Sequence, residues 1–180
     1  ILTFTNGKNL KFKVEIIKLS KKTSSLKVLN YETVSSKDHL HIAISILKSP
    51  SRFENFIEKA VEIGVSEITP LICERSQKSK VKIDRCNKII ISALKQSFKY
   101  SLPKFNSPVN FIDFIKSNTD QNKLIATCEK SKKTPLTDSF NKLKTNVLLI
   151  GPEGDFTETE LNEAQNYGFQ FVTLGDTRLR

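Results

Sequence analysis

The run Val147-Leu148-Leu149-Ile150-Gly151-Pro152-Glu153-Gly154-Asp155-Phe156-Thr157-Glu158-Thr159-Glu160 carries the clearest chemical pattern in the chain. An apolar strand ends in a glycine-bearing turn, and a helix follows. Thr157 with Glu160 three residues on makes a capping box; Leu161, Ala164 and Tyr167 supply a buried stripe, and Gly168 ends the helix. Phe169–Leu174 reads as a strand that closes on Gly175, completing one βαβ unit. Glycines let a backbone approach a ligand closely, so that main-chain N–H and C=O groups read its polar edge. In open α/β sheets the carboxyl ends of the strands are where ligands bind. A plain turn between strand and helix also favours glycine and proline. Two details favour a ligand loop: Glu153, in a tight turn after Pro152, serves no core, and Gly175 closes the neighbouring strand at the same edge. The spacing is neither GxGxxG nor GxxxxGK[ST], which argues against a dinucleotide site or a P-loop.

Charge suggests a second partner. The 180 residues hold 29 Lys and Arg against 19 Asp and Glu, a net charge of +10. Residues 146–180 carry −4 and residues 1–145 carry +14, and residues 75–104 hold nine basic side chains against Asp84 alone. A concentrated basic stretch beside an acidic segment fits a polyanion such as nucleic acid, although lysines also decorate solvated faces. Three cysteines (Cys73, Cys86, Cys128) without a CxxC pair and two histidines (His39, His41) argue against a disulfide scaffold and a metal site, and make a reducing cytoplasm the expected location. No apolar run approaches the roughly 18 residues of a membrane span. With 38% hydrophobic residues the composition is that of a globular chain. The start at Ile1, the end at Arg180 and the lack of methionine lead to the expectation of a chain trimmed at both ends.

Elements must hold these features in place. Leu10–Ile16 alternates apolar and polar residues after an Asn6-Gly7 turn, and Ser24–Leu29 reads as another strand, so the first forty residues form a small β unit. His41–Leu47 is nearly continuous in apolar residues, as in a strand buried on both faces of a parallel sheet. Phe53, Phe56, Ile57, Ala60, Val61 and Ile63 recur at helical spacing before Gly64. A strand over Ile68–Cys73, a helix over Lys88–Phe98 with Phe98 on its core side, and a linker from Ser101 to Pro108 follow. A short helix near Asp113–Ser117, a strand at Lys123–Cys128 and a helix over about Asp138–Leu143 complete an alternation typical of an α/β domain.

Several collinear motifs resemble one family. Gly151-Pro152-Glu153-Gly154-Asp155-Phe156, then a helix, then Leu174-Gly175 and Leu179-Arg180, is similar to the RsmE-type ribosomal RNA uracil-N3 methyltransferases of the SPOUT superfamily. Upstream, Arg52-Phe53-Glu54 through Glu62-Ile63-Gly64-Val65 resembles the family's helix ending in an E-[IL]-G-V turn. Pro70-Leu71 with Glu74-Arg75-Ser76 resembles its P-L-x-x-x-R-S stretch, and Ala93 with Gln96-Ser97 its A-x-x-Q-S. The resemblance covers residues 41–180. It implies a partial PUA-like, RNA-binding β-barrel unit over 1–38. Over 39–180 it implies a SPOUT methyltransferase domain lacking its C-terminal end, a mostly parallel sheet flanked by helices with a trefoil knot. It also implies a homodimer, S-adenosyl-L-methionine as cofactor, and 16S rRNA or the small ribosomal subunit as partner, without metal or membrane.

Carried over residue by residue, the resemblance implies cofactor loops at Thr127, Cys128, Glu129 and Lys130, at Ile150, Gly151, Pro152, Glu153 and Gly154, and at Leu174, Gly175 and Leu179. Arg180 and Arg178 become catalytic candidates. Arg52, Arg75, Lys78, Lys80, Lys82, Gln96 and Ser97 become RNA-binding candidates, Gln96 and Ser97 being equally readable as a helix-capping or buried polar pair. Cys128 itself reads as a small packing residue. Three features depart from the family pattern. Asp155 stands where a glycine is common, Arg178 sits one place late, and the T-E-T-A helix that follows Leu-Arg is absent. The implied reaction places uracil N3 in line with a methyl carbon. The base must then be unpaired, N3 must lose its proton, and a cation near the uracil oxygens would stabilise the anion. Two other readings stand beside it: a non-catalytic RNA-binding module, and a SPOUT methyltransferase acting on tRNA or a ribose 2′-hydroxyl.

Overall fold

The computed structural model describes residues 1–34, 39–128 and 133–175. The first strands, β1 (Leu2–Thr5), β2 (Leu10–Leu19) and β3 (Ser24–Thr33), form an antiparallel meander in that order. The pairs Leu2↔Val14, Phe4↔Phe12 and Val14↔Val28 put these apolar side chains on one face, as alternation requires. Gly7, in the Asn6-Gly7 turn, has φ +73°, and a Cβ there would lie 2.6 Å from Leu102 Cδ1. That close approach lets Leu102 N–H donate to Gly7 O and Asn9 N–H donate to Tyr100 O, fastening the meander to residues 100–102.

The remaining strands are β4 (His39–Ser45), β5 (Glu67–Ile72), β6 (Lys104–Phe105), β7 (Val109–Asn110), β8 (Asn122–Ala126), β9 (Thr134–Pro135), β10 (Thr145–Ile150) and β11 (Gln170–Thr173). They form one sheet in the order β6-β5-β4-β10-β8-β11-β9, with β7 also on β5, and every pair is parallel. Parallel pairing needs crossovers, which α1 (Pro50–Ile63), α2 (Ile83–Gln96), α3 (Phe111–Ser117) and α5 (Glu158–Asn166) help to supply. On one face, Phe53, Ile57, Ala60 and Val61 of α1 and Ile90, Ala93 and Leu94 of α2 pack on Ile42, Ile44 and Ile68. On the other, Phe111 and Ile115 of α3 and Leu161 and Ala164 of α5 pack on Ala43, Leu71, Val147 and Leu149. Alternate residues of β4 thus feed opposite cores, which is why Ile42, Ala43 and Ile44 are apolar in succession rather than in alternation. This is the expected α/β architecture of a mostly parallel sheet flanked by helices.

Several local expectations change. The second helix starts at Ile83, a turn before Lys88, and ends at Gln96. Phe98 is 79% exposed with φ +53°: the helix has ended, and the left-handed backbone turns the ring out of the core. Ile63 is 71% exposed in the last turn of α1, just before the Gly64 cap. Tyr167 caps α5 and is exposed rather than part of its stripe. The helix expected near Asp138–Leu143 is one turn, α4 (Leu136–Ser139), followed by Asn141 and the start of β10. Most consequentially, β11 does not neighbour β10, because β8 lies between them.

Beneath the sheet's amino edge, fully buried Asn146 of β10 has a saturated carboxamide. Its Oδ1 accepts from Asn122 Nδ2 at 2.8 Å and from Asn141 N–H at 3.1 Å. Its Nδ2 donates to Asn141 O and Lys144 O at 2.8 and 2.7 Å. Asn146→Ala leaves several of these groups without partners and should lower unfolding free energy by about 3 kcal/mol. Urea unfolding with an unchanged slope reads this out; a loss below about 0.5 kcal/mol would overturn the stabilising role of this carboxamide.

Candidate functional site

Because the sheet is parallel, the carboxyl ends of β4, β5, β10, β8 and β11 open on one edge. Three of the loops there are those to which the sequence points: Thr127-Cys128 after β8, Gly151–Gly154 after β10, and Leu174-Gly175 after β11. With β8 in the middle of this set, its loop is flanked by the other two. Glu129, Lys130, Arg178, Leu179 and Arg180 lie outside the described residues. Ile150 is half-buried and Pro152 buried, whereas Glu153, Gly154, Leu174 and Gly175 are exposed. At Gly154 and Gly175, which carry no side chain, the edge presents backbone, which suits a ligand read by main-chain groups.

The Gly151–Gly154 loop is tied to three neighbours. From the β4 side, Lys48 N–H donates to Glu153 Oε1 at 3.1 Å, which gives that carboxylate a structural partner. From the β5 side, Arg75 Nη1 donates to Gly154 O at 2.6 Å and to Phe156 O at 3.2 Å. From the β8 side, Asp155 Oδ2 accepts from Thr127 Oγ1 at 2.8 Å and from Cys128 N–H at 2.7 Å, while its Oδ1 accepts from Phe156 N–H at 2.8 Å. The Asp155 carboxylate thus joins two of the candidate cofactor loops. It does so from a left-handed backbone, φ +60°, in which aspartate is tolerated better than most residues.

A second set of contacts seats α5. Its capping box is present: Thr157 N–H donates to Glu160 Oε2, and Glu160 N–H donates to Thr157 Oγ1. The other oxygen of Glu160, a buried side chain, accepts from Glu74 N–H at 2.8 Å, and Thr157 Oγ1 donates to Glu74 Oε2 at 2.9 Å. Beneath them Ser76 Oγ accepts from Cys73 N–H and is bonded to Ser45 Oγ. Burial, with the Glu160 charge, pushes the Cys73 thiol up to about 12, so it packs as an inert thiol. Cys128 is exposed, not a packing residue; its backbone N–H is what the site uses.

The RNA-binding candidates divide. Arg52, at the start of α1, and Lys78, Lys80 and Lys82, between β5 and α2, are exposed near the carboxyl edge. Arg75 is exposed too, but commits its Nη1 to the loop. Gln96 and Ser97 stand at the far end of α2, towards the amino edge. Gln96 is exposed, and Ser97 Oγ donates to Ala93 O of its own helix at 2.8 Å. The structure does not bring this pair to the loops. Among the described residues no group of His, Cys, Asp and Glu is arranged to hold a metal, and no helix is long and apolar enough to cross a membrane.

Residues 34–180 match the family described as RNA methyltransferase domain. The chain belongs to this family. The RNA methyltransferase domain is 36% identical over 160 residues to the ribosomal RNA small subunit methyltransferase E of Mesomycoplasma hyopneumoniae, an alignment covering 80% of this chain and 64% of that one. The chain thus spans less than two thirds of that relative's length. Among solved structures, a probable rRNA-methyltransferase from Porphyromonas gingivalis is 32% identical with a TM-score of 0.88, covering 99% of this chain and 77% of its own. A ribosomal RNA small subunit methyltransferase E from Neisseria gonorrhoeae, bound to S-adenosyl methionine, is 28% identical with a TM-score of 0.89, covering 99% and 76%.

The sequence of this RNA methyltransferase domain points to its loops and not to the side chains that brace them. Asp155 stands out in it only as a departure from a family glycine, and Glu74 only as part of a motif. The available signal is Glu160: a capping-box glutamate followed directly by the buried stripe has one carboxylate oxygen left to pair inward.

Proposed function

We propose that this chain transfers a methyl group from S-adenosyl-L-methionine to N3 of a uridine in the RNA of the small ribosomal subunit. The observation that carries this is the convergence of three backbone-lined loops on one sheet edge, in a fold shared over 99% of the chain with a relative bound to S-adenosyl methionine. The residues fit such a group. Among the described residues, a Cβ on Gly154 would meet only Arg75 Cδ at 3.5 Å and one on Gly175 would meet nothing within 4 Å, so these residues leave room beside both backbones. When bound, the sulfonium supplies an electrophilic methyl carbon.

The chain's own work is placement and charge. The loops after β8, β10 and β11 hold the donor by main-chain contacts, and Asp155 and Arg75 keep the central loop in position. Uracil N3 must be unpaired to reach the edge, and its proton must leave before or during attack. Arg180 and Arg178 are the cations proposed to steady the charge that develops on the uracil oxygens. Lys78, Lys80, Lys82 and Arg52 are proposed to hold phosphates, which fix position without reading sequence. The same proposal includes a trefoil knot through the C-terminal chain, a PUA-like RNA-binding unit over residues 1–38, a homodimer, and a bacterial cytoplasmic setting.

The test is incubation of the protein with methyl-labelled cofactor and small ribosomal subunits, followed by digestion of the RNA to nucleosides. Label in 3-methyluridine is the expected result. Label on a ribose 2′-hydroxyl, or on tRNA alone, would redirect the reading to another RNA methyltransferase specificity. RNA binding without cofactor binding would leave an inert RNA-binding module.

A further inference from the structure

Beside the candidate methyl-donor loop lies a cleft of about 590 Å³ between the end of β4, the start of α1 and the segment that leads into α2. Its depth is apolar: Ile46 and Phe53 are buried, and Leu47 and Val81 are half-buried. Its outer wall is cationic, with exposed Lys78, Lys80 and Lys82. Arg85 and Glu54 also line it but neutralise each other, with Arg85 Nη2 donating to Glu54 Oε2 at 2.6 Å and Arg85 Nε to Glu54 Oε1. That pairing leaves the three lysines as the excess charge among the described lining residues, whose net charge is +3. The cleft also adjoins the loop. Ile46 and Leu47 continue β4 into it, and the next amide, Lys48 N–H, holds Glu153 of the Gly-Pro-Glu-Gly turn.

An apolar depth under a row of cations suits a ligand with an aromatic plane and a string of negative charges. We propose that this cleft takes one nucleotide and the adjoining phosphates of an unpaired RNA segment, with the nucleobase against Leu47 and Val81 and the phosphates on Lys78, Lys80 and Lys82. Placed there, the strand passes the methyl-donor loop, so the inference rests on the methyltransferase reading and adds the path by which substrate reaches it. The segment must be unpaired, because a base held in a duplex cannot reach the apolar depth behind the lysines.

The test compares Lys78→Ala/Lys80→Ala/Lys82→Ala with the parent in binding a short uridine-containing single-stranded RNA across a salt series. A control variant, Lys142→Ala/Lys144→Ala, removes exposed charge at the amino edge. The triple variant should bind about tenfold or more weakly at low salt, and its salt slope should shrink by about 2, close to 0.7 for each phosphate that is no longer neutralised. The control should keep the parent's slope. Replacing one uridine by an abasic ribose should weaken binding to the parent but not to Val81→Asp, which has already lost the base's apolar seat. Equal slopes for parent and triple variant, or no RNA binding by the parent, would overturn the cleft. Cofactor titration of the same proteins separates the two readings. If the parent takes no cofactor yet RNA affinity still depends on the three lysines, the methyltransferase reading fails and the cleft stands. If the triple variant binds cofactor normally and RNA unchanged, the cleft alone fails.

Discussion

Gly154→Trp is expected to remove measurable S-adenosyl-L-methionine and S-adenosylhomocysteine binding while the protein stays folded. Gly154 is exposed, and a Cβ built on it makes only ordinary contact with Arg75 Cδ at 3.5 Å. Its φ lies outside the left-handed region, so the backbone accepts an L side chain. An indole at that point must either lie across the loop or displace Arg75 from Gly154 O, and in both cases it takes the space in which a ligand would meet the main chain. Affinity should fall by at least 100-fold, about 2.8 kcal/mol at 1.4 kcal/mol per tenfold, in a calorimetric titration. The thermal midpoint should move by less than about 3 °C. Gly151 offers the contrast. A Cβ there would come to 3.1 Å from two ring carbons of Phe156 and to 3.3 Å from Asp155 Oδ1, so Gly151→Ala disturbs the packing of the turn itself. Its weaker binding should come with a loss of stability. Parent-like titration by Gly154→Trp would place the cofactor elsewhere.

What depends on local pattern is legible in the sequence. The nearly continuous apolar run over His41–Leu47, the αL glycine that ends α1 and the capping box of α5 are written in spacings of two to four residues, and all three are present. Strand order is not written that way. Periodicity tells which faces of β8, β10 and β11 are buried, not which strand lies in the middle, and the expectation that β11 adjoins β10 fails on that point. Helix ends are misjudged for a related reason. Phe98 and Tyr167 continue an apolar period, but hydrogen bonds from Lys99 N–H to Leu94 O and from Gly168 N–H to Gln165 O mark chain reversals that carry them off the core face. The bracing of the site is the least legible. Arg75 reaches Gly154 across 79 positions and Glu74 reaches Glu160 across 86, and no local spacing encodes either contact.

Asp155→Gly is the sharper test of how the site is held, because its effects on fold and on binding should separate. Asp155 sits at φ +60°, a conformation that glycine adopts at no steric cost and that costs other L residues about 1 kcal/mol or more. The substitution relieves that cost and removes the three hydrogen bonds the carboxylate accepts from Thr127, Cys128 and Phe156. These terms oppose each other, so the net loss of stability should be held to about 1–2 kcal/mol, less than the three hydrogen bonds alone would give. Binding has no such offset. Without the carboxylate the Thr127-Cys128 loop and the Gly151–Gly154 loop are no longer joined, and a ligand spanning both must order them itself, a cost that shows in affinity. Cofactor Kd should rise about tenfold, corresponding to 1.4 kcal/mol. In turnover, KM for the cofactor should rise with little change in kcat, since the bond holds ground state and transition state alike. Asp155→Asn supplies the graded comparison. It tolerates the same backbone and keeps one acceptor oxygen, so it should retain one side of the link and fall between the parent and Asp155→Gly. A purely structural role would predict the reverse order of effects, with stability falling and Kd holding, and that outcome would dismiss Asp155 as a positioning residue.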